Sequence, residues 1–301
     1  MNSRDPAEYL RRNFEVEASL PKAQPTTLET TLSNIEFQLQ AFRSIRHRVL
    51  SAGAAILDYG CGSGDEVACL MRAGYDAHGA DILEYWGKDK HLHGQNLVGQ
   101  ELGGQGLPLQ QPEILDRLRV IDPADSQLPF ADESFDLVVS EQVLEHVFDL
   151  ESTFREQARV LRPGGLGIHR MPSPTSLMEV HTQVPVVALN RYRWYLAAWA
   201  ILGRRNERQQ GKNWRETLAS NQSLFGTTNY VSRRRMLACA RSAGLNAWFM
   251  TGHFRFIKSR FGRLYRKLDR FGIAWLAVPF MRVLSSAQIL ITEKPEQNRR
   301  G

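Results

Sequence analysis

The feature that most constrains the fold is an alternation of short apolar segments with segments of helical periodicity. Helical patterns cover residues 65–73 and 151–161, and a Pro-Gly-Gly turn at 163–165 ends the second. Apolar strands alternating with helices predict a parallel sheet covered on both faces, and right-handed crossovers make such a sheet doubly wound. The apolar segments with strand character before residue 173 are 54–59, 76–82, 118–121, 135–140 and 166–170.

The alternation lapses after Pro172 and returns near the end of the sequence. Residues 173–230 form an insertion rich in aromatic residues and arginine. A helix is then predicted at 232–243, and strands at 247–251 and 287–292. We therefore expect an α/β fold built on a doubly wound, mostly parallel, seven-stranded sheet.

The pattern also predicts how the chain is organised. Residues 1–50 should form an N-terminal helical cap or lid. Residues 51–294 form the main domain, with insertions at about 173–230 and 253–285, and 295–301 form a polar tail. The helical spacing of the cap is carried by Leu28, Leu32, Ile35 and Leu39, and the Gly-rich, Gln-rich segment 83–111 is predicted to be mostly loop.

Composition excludes several classes of protein. A chain of 301 residues with 43% hydrophobic and 23% charged residues is typical of a globular fold. The longest apolar run, 273–281, is shorter than the roughly 18 residues of a membrane-spanning helix. The first residues lack an apolar core, so we expect no secretory signal and a cytoplasmic location. Neither a disulfide framework nor a structural metal site is expected from the three cysteines, Cys61, Cys69 and Cys239.

The positive charge of the chain is concentrated in one segment. The formal net charge is +6, and residues 253–270 alone hold seven Lys or Arg and one acid. A diffuse basic surface would suggest general affinity for nucleic acid, whereas a single patch indicates a local role.

The most informative motif is the glycine turn after the first strand, at residues 58–64. The dinucleotide fingerprint G-x-G-x-x-G would require glycine at position 65, but Asp65 occupies it. Together with Asp58 it places two carboxylates beside the turn, where they would repel a pyrophosphate and suit an ammonium group. Asp81, which follows Gly60 by 21 residues, suits ribose hydroxyls. These features predict S-adenosylmethionine as the ligand, although an ordinary βα turn would also use these glycines.

With this turn, two further segments resemble the class I S-adenosylmethionine-dependent methyltransferases of the type-11 subgroup. One is Leu-Pro-Phe at 128–130 followed by Asp-Glu-Ser-Phe-Asp-Leu-Val-Val-Ser at 132–140. The other is Arg-Val-Leu-Arg-Pro-Gly-Gly at 159–165. The resemblance covers about 54–172 and the final strands. It implies a Rossmann-like methyltransferase fold and S-adenosylmethionine as cofactor, and it says little about the acceptor.

The resemblance also implies roles for particular residues. The glycine turn would hold the methionine end of the cofactor, and Asp81 with Ile82 would hold the ribose and pack the adenine. An acid after the third strand would contact the adenine amino group, where Asp125 is favoured over Asp122, although either could simply cap a turn. The predicted cofactor-binding residues are Asp58, Gly60, Cys61, Gly62, Gly64, Asp81, Ile82, Asp125, Ser140 and Glu141.

Candidate catalytic residues follow the fourth and fifth strands, because ligands of open α/β sheets bind at the carboxyl ends of the strands. His181 is the leading candidate for a general base, with Glu179 two residues away to fix its tautomer. His146 has a comparable claim by position. Each histidine could instead be structural, hydrogen-bonded to backbone or packed in a loop.

The two insertions have alternative interpretations. Aromatic residues in 173–230 could line an acceptor pocket, although the spacing of Tyr192, Tyr195 and Trp199 favours core packing. The basic segment predicts a cationic amphipathic helix. It could contact an anionic membrane surface, bind a phosphorylated or nucleotide-linked acceptor, or pack its apolar stripe on the core. That stripe consists of Ile257, Phe261, Leu264, Leu268 and Phe271.

The sequence therefore favours methyl transfer to a small-molecule, lipid-linked or glycan-precursor acceptor, with oxygen favoured over nitrogen or carbon. An NAD(P)-dependent oxidoreductase and a noncatalytic, membrane-associated cofactor-binding protein are the alternatives. Contact with the inner face of a membrane would run through 253–285. Nucleic acid is not the expected acceptor, because Ser-Glu-Gln-Val at 140–143 replaces the Asn/Asp-Pro-Pro-aromatic segment of base-amino methyltransferases.

Overall fold

The computed structural model describes residues 28–82, 111–121, 127–179, 181–186, 189–190, 192–206, 209–226, 228–256, 260–285 and 287–296. The strands are β1 (Ala55–Tyr59), β2 (Asp76–Asp81), β3 (Leu118–Val120), β4 (Phe135–Glu141), β5 (Leu161–Pro172), β6 (Asn246–Phe249) and β7 (Ala287–Glu293). The helices are α1 (Leu28–Arg46), α2 (Asp65–Arg72), α3 (Gln111–Leu115), α4 (Leu150–Val160), α5 (Arg193–Ile201), α6 (Trp214–Gly226), α7 (Arg233–Ser242), α8 (Arg260–Arg270) and α9 (Ala274–Leu284), and a 3₁₀ turn covers Gly252–Arg255.

The seven strands form one mixed sheet in the order β3-β2-β1-β4-β5-β7-β6. Strands β1 to β5 pair in parallel, and β7 lies antiparallel to both β5 and β6. The predicted doubly wound, mostly parallel sheet is confirmed. Because β6 runs in the same direction as β5, the carboxyl ends of β1, β2, β4, β5 and β6 lie at one edge of the sheet.

The core has two layers, one on each face of the sheet. Neighbouring strand residues point to opposite faces: Ile56 packs in the layer that includes α1 and α2, and Leu57 packs in the layer that includes α4 and α7. The N-terminal helix contributes Leu28, Ile35 and Phe42 to the first layer, so it is part of the main core. Its role as a lid stays a prediction.

Strand β5 is longer than the predicted 166–170, because it begins at Leu161, directly after α4. Leu161 pairs with Phe135, and the register shifts before Leu137 pairs with Leu166. This irregularity accommodates the Pro-Gly-Gly segment, in which Gly164 has a φ of 79°. The sequence turn therefore marks a bulge inside a strand, and the strand extends beyond it on both sides.

The insertion at 173–230 forms a small helical layer in which α5 packs against α6 around Leu196, Ala200 and Leu218. Tyr195 and Trp199 pack on this cluster, which confirms core packing for these two residues. Tyr192 is 40% exposed, so the same expectation is wrong for it.

Three further sequence-based expectations concern the cysteines, membrane spans and the segment 83–111. Cys61, Cys69 and Cys239 are buried and unbridged. Within the described residues, none of the helices combines the length and apolarity needed to cross a bilayer. The predicted loop at 83–111 lies outside the described residues, apart from residue 111 at the start of α3.

Candidate functional site

The glycine turn lies at the carboxyl end of β1, between β1 and α2. Gly60 and Gly64 have φ angles of 84° and 83°, in the left-handed region that favours glycine. A Cβ atom on Gly60 would lie 2.3 Å from Cγ2 of Val143. The close approach of this turn to the segment after β4 therefore excludes a side chain at position 60.

The end of β2 holds the turn in place. The backbone N–H of Gly60 donates to the carbonyl oxygen of Ala80 at 2.7 Å, and the N–H of Gly62 donates to Oδ2 of Asp81 at 2.9 Å. Asp81 thus lies next to the glycine turn, as the sequence predicted, and this hydrogen bond orders the turn. Beside it, Ile82 is 39% exposed, while the side chain of Cys61 is buried.

Acidic side chains converge on this turn. Asp58 is buried, and burial together with repulsion from Glu66, Asp81 and Glu141 raises its pKa well above the ordinary value. Burial also raises the pKa of Glu66 to about 7 and that of Glu141 to about 7. Acids that are costly to ionise in the empty site become easier to ionise beside a cation, so this environment suits a positively charged ligand and disfavours a pyrophosphate.

Arg170 partly balances the acids. Its Nε lies 3.5 Å from Oε1 of Glu141, and it also lowers the pKa of Glu66 against the raising effect of burial. Sequence reasoning missed both Glu66 and Arg170. Glu66 could have been found, because it stands in the first turn of the helix that the glycine turn opens. Arg170 is predicted to lie in a strand, and nothing in the sequence indicates which acid it meets.

Ser140, a predicted cofactor-binding residue, has its side chain in the protein interior. The hydroxyl of Ser140 is buried and forms a hydrogen bond of 2.9 Å with Nδ1 of His169. His169 is fully enclosed, and burial lowers its pKa to about 3. The side chain of Ser140 is therefore committed to the interior, and a cofactor contact from this residue would have to come from its backbone. Asp125 and its alternative Asp122 lie outside the described residues.

A second titratable cluster brings Glu145 and His146, which follow β4, together with His181, which follows β5. The Glu145 side chain is 3% exposed, and neither carboxylate oxygen has a hydrogen-bond partner among the described residues. Its Oε1 lies 4.0 Å from Nε2 of His146 and 3.9 Å from Nε2 of His181. Burial, with repulsion from Glu141 and Glu179, raises the pKa of Glu145 to about 8.

This arrangement can hold a proton between a carboxyl group and an imidazole. A buried carboxylate without hydrogen bonds is stable as an ion only beside a cation, so Glu145 favours the protonated form of a neighbouring histidine. The three side chains also offer one ligand atom each within 4.8 Å of one another, a grouping that a divalent metal ion can use. No metal site is expected from the sequence.

The predicted pairing of Glu179 with His181 is corrected by the structure. The carboxylate of Glu179 accepts hydrogen bonds from the backbone N–H of Thr182 and from the hydroxyl of Tyr230, which closes the loop that carries His181. The carboxylate beside the His181 ring is that of Glu145. Glu179 is only two residues from His181 in the sequence. Its hydrogen bonds to Thr182 and Tyr230 nevertheless hold its carboxylate away from the His181 ring.

Residues 57–168 match the family model of the type-11 methyltransferase domain, and residues 118–222 match a second methyltransferase-domain model. The first match contains the glycine turn, the acids beside it and most of the Glu145 cluster. Residues 57–168 are therefore similar to a type-11 S-adenosylmethionine-dependent methyltransferase domain. The sheet has the class I methyltransferase arrangement, in which the antiparallel β7 lies between β5 and β6, whereas the classical dinucleotide-binding sheet has the order 3-2-1-4-5-6.

Curated relatives include methyltransferases that act at oxygen and at carbon. The 27-O-demethylrifamycin SV methyltransferase of Amycolatopsis mediterranei is 28% identical over 187 residues, 58% of this chain and 61% of that protein. The ubiquinone biosynthesis O-methyltransferase of Albidiferax ferrireducens is 31% identical over 126 residues, 40% and 42% of the two chains. The sterol 24-C-methyltransferase ERG6B of Gibberella zeae is 28% identical over 117 residues, 39% and 27%. The matches thus span between about a quarter and three-fifths of these relatives.

Proposed function

We propose that this protein transfers a methyl group from S-adenosylmethionine to a hydroxyl oxygen of a small, largely apolar acceptor. The observation that carries the choice of oxygen is the buried Glu145 carboxylate, 3.9 Å from Nε2 of His181. A hydroxyl needs a proton acceptor when it becomes a nucleophile, whereas an already ionised or carbon nucleophile depends less on one.

Support for the cofactor comes from the acid-lined glycine turn. Asp58, Glu66 and Glu141 provide negative charge for the positive methionine end, and the glycine turn opens α2, whose first backbone N–H groups can face a ligand. Asp81 follows β2, where an acid can accept hydrogen bonds from ribose hydroxyls. When bound, S-adenosylmethionine supplies a methyl carbon already activated by its sulfonium, so the main work of the protein is orientation and exclusion of water.

In this proposal, His181 takes up the proton that the acceptor hydroxyl loses at the ring nitrogen opposite Nε2, because Nε2 is buried and faces Glu145. Glu145 acts through His181: burial raises the pKa of its carboxyl group to about 8, and an imidazolium 3.9 Å away favours the ionised carboxylate, which in turn stabilises that imidazolium. His146 lies beside His181, with ring centroids 5.4 Å apart, and its Nε2 is 4.0 Å from the same carboxylate oxygen, so it adds a second imidazole to the environment of Glu145. Because Glu145 is buried, water screens its interaction with His181 less than it would screen a pair on the surface.

The acceptor class is inferred from the relatives and from the insertion. The relatives are named for a rifamycin, a ubiquinone precursor pathway and a sterol, which are small and carry large apolar parts. Helices α5 and α6 follow β5, so the insertion at 173–230 is attached at the edge of the sheet where the acceptor must lie. The acidic turn and the antiparallel β7 weigh against an NAD(P)-dependent oxidoreductase.

The test uses S-adenosylmethionine with a labelled methyl group and small-molecule extracts fractionated by polarity. We expect label in an apolar small-molecule fraction, and NMR of the product should place it on oxygen. His181→Asn should lower kcat by about 10²- to 10⁴-fold with little change in cofactor Kd. His47→Asn, an exposed histidine remote from the site, is the matched control. A methylated carbon, or full activity in the His181 variant, would refute the proposal.

A further inference from the structure

Helices α8 and α9 form a helical hairpin between β6 and β7. Residues 271–273 connect them, and Gly272, with a φ of 69°, ends α8. Tyr265 of α8 and Ala274 and Met281 of α9 are buried with Phe254 in a small cluster of their own. The hairpin therefore has a buried inner face, and its outer face is exposed.

The outer face of α9 and the connection are apolar and exposed. Residues of an α-helix are spaced by about 100°, so Trp275, Leu276, Pro279 and Phe280 share one arc of roughly 140°. This amount of aromatic and aliphatic surface is more than scattered surface residues would give. The exposed fractions are 72% for Phe271, 42% for Ile273, 69% for Trp275, 59% for Leu276 and 65% for Phe280.

The outer face of α8 is basic. Arg263, Lys267 and Arg270 are exposed and recur at intervals of three or four residues, so they form one row along the helix. Residues 260–285 contain six Lys or Arg and a single acid, Asp269. Asp269 forms an ion pair of 2.6 Å with Arg255. The positive charges of Arg263, Lys267 and Arg270 are therefore not neutralised by an acid of the hairpin.

The structure corrects the apolar stripe expected from the sequence. Leu268 is partly buried, but Leu264 and Phe271 are 47% and 72% exposed, and Tyr265 is buried in their place. The reason is that Tyr265 packs against Phe254, with ring centroids 5.9 Å apart. Only part of the predicted stripe is therefore buried. Ile257 and the side chain of Phe261 lie outside the described residues.

The hairpin lies on the same side of the fold as the proposed active site. It follows the carboxyl end of β6, which shares its edge with the carboxyl ends of β1 and β4. Just before the hairpin, Phe256 packs edge-on against Phe37 of α1 at 6.1 Å, which fixes its base to the core. A surface bound by the hairpin is thus held near the site and not on the opposite side of the molecule.

We propose that this hairpin docks the protein on an anionic lipid bilayer, with Phe271, Trp275 and Phe280 entering the interface and Arg263, Lys267 and Arg270 facing the phosphate groups. An exposed apolar arc next to a row of cations matches the two components of such a surface. A soluble phosphorylated ligand would use the cations and leave the aromatic side chains in water. Docking places the active-site edge near a bilayer, where apolar acceptors concentrate.

The test is cosedimentation of the full chain with vesicles of phosphatidylcholine alone or mixed with phosphatidylglycerol. We expect strong binding to the mixed vesicles, weaker binding to phosphatidylcholine, and loss at high salt. The triple variant R263Q/K267Q/R270Q should weaken partitioning about a hundredfold, at roughly fivefold per basic residue. The matched control R43Q/R215Q/R234Q removes the same charge from exposed residues elsewhere and should bind nearly as wild type.

A second variant separates apolar insertion from charge alone. Trp275→Ser with Phe280→Ser should weaken binding about tenfold or more, whereas Ile201→Ser with Leu202→Ser, equally exposed on α5 and its end, should not. An unchanged Kd for S-adenosylhomocysteine shows that each variant is folded. Equal binding by the hairpin and control variants would overturn the proposal. The proposal would also be overturned if the wild-type protein bound no vesicles and formed a dimer that the Trp275→Ser/Phe280→Ser variant converted to a monomer.

Discussion

Binding of S-adenosylmethionine should release protons from the acids around the glycine turn. Glu66 and Glu141 each have a pKa raised to about 7 by burial, so both are largely protonated in the ligand-free protein at mildly acidic pH. A cation beside them favours their ionised forms and lowers these pKa values. By linkage, cofactor affinity must then rise with pH up to about 7 and level off above it.

The size of the effect follows from the two pKa values. Consider one acid whose pKa is about 7 before the cofactor binds and which is fully ionised in the complex. Cofactor binding is then about tenfold weaker at pH 6 than at pH 8, because the acid must first lose its proton. Two such acids give up to about a hundredfold. Glu141→Gln removes one of them, so the same pH change should weaken cofactor binding only about tenfold in that variant.

Isothermal titration calorimetry measures both the affinity and the protons released, when buffers of different ionisation enthalpy are compared. Glu29→Gln, which changes an exposed acid of α1, is the control and should keep the wild-type pH dependence. If affinity is independent of pH and no protons are released by the wild-type protein, the acids do not contact the positive end of the ligand and this reasoning is refuted.

Three further predictions concern single features of the site. Gly60→Ala should abolish cofactor binding in calorimetry, because the new Cβ collides with Val143, and adding Val143→Ala should restore part of it; no loss in the single variant would contradict the turn geometry. Ser140→Ala should leave cofactor affinity unchanged and lower the free energy of unfolding by about 1–3 kcal/mol, since His169 loses its buried partner; a weaker affinity would instead place the hydroxyl in the site. Treatment with EDTA should leave methyl transfer unchanged, as a proton-accepting His181 requires, whereas a loss reversed by a divalent cation would assign the Glu145 cluster to a metal.

Most of the fold could be predicted from the sequence because local signals and global packing agree. The alternation of apolar strands and helices gave the sheet, and the Asp149 side chain caps α4 by accepting from the N–H groups of Glu151 and Ser152. The start of β5 was missed because Pro-Gly-Gly normally ends an element. Only the pairing of Leu161 with Phe135 across the sheet reveals that the strand runs through it.

The site was predictable where one segment of the chain determines it. The glycine turn with Asp58 and Asp81 follows from short-range spacing, and the structure brings these residues together. The partner of His181 could not be predicted from the sequence, because Glu145 comes from the segment after β4 and only the fold brings it next to His181. The inner face of α8 was mispredicted for the same reason, since Phe254 selects Tyr265 as the buried residue.

The most direct test of the account is a side-by-side calorimetric titration of the purified protein with S-adenosylmethionine and with the reduced and oxidised nicotinamide dinucleotides. The acid-lined turn predicts saturable one-to-one binding of S-adenosylmethionine, weakened at least tenfold by Asp58→Asn, and no binding of the dinucleotides. Saturable binding of a dinucleotide, with no binding of S-adenosylmethionine, would contradict it.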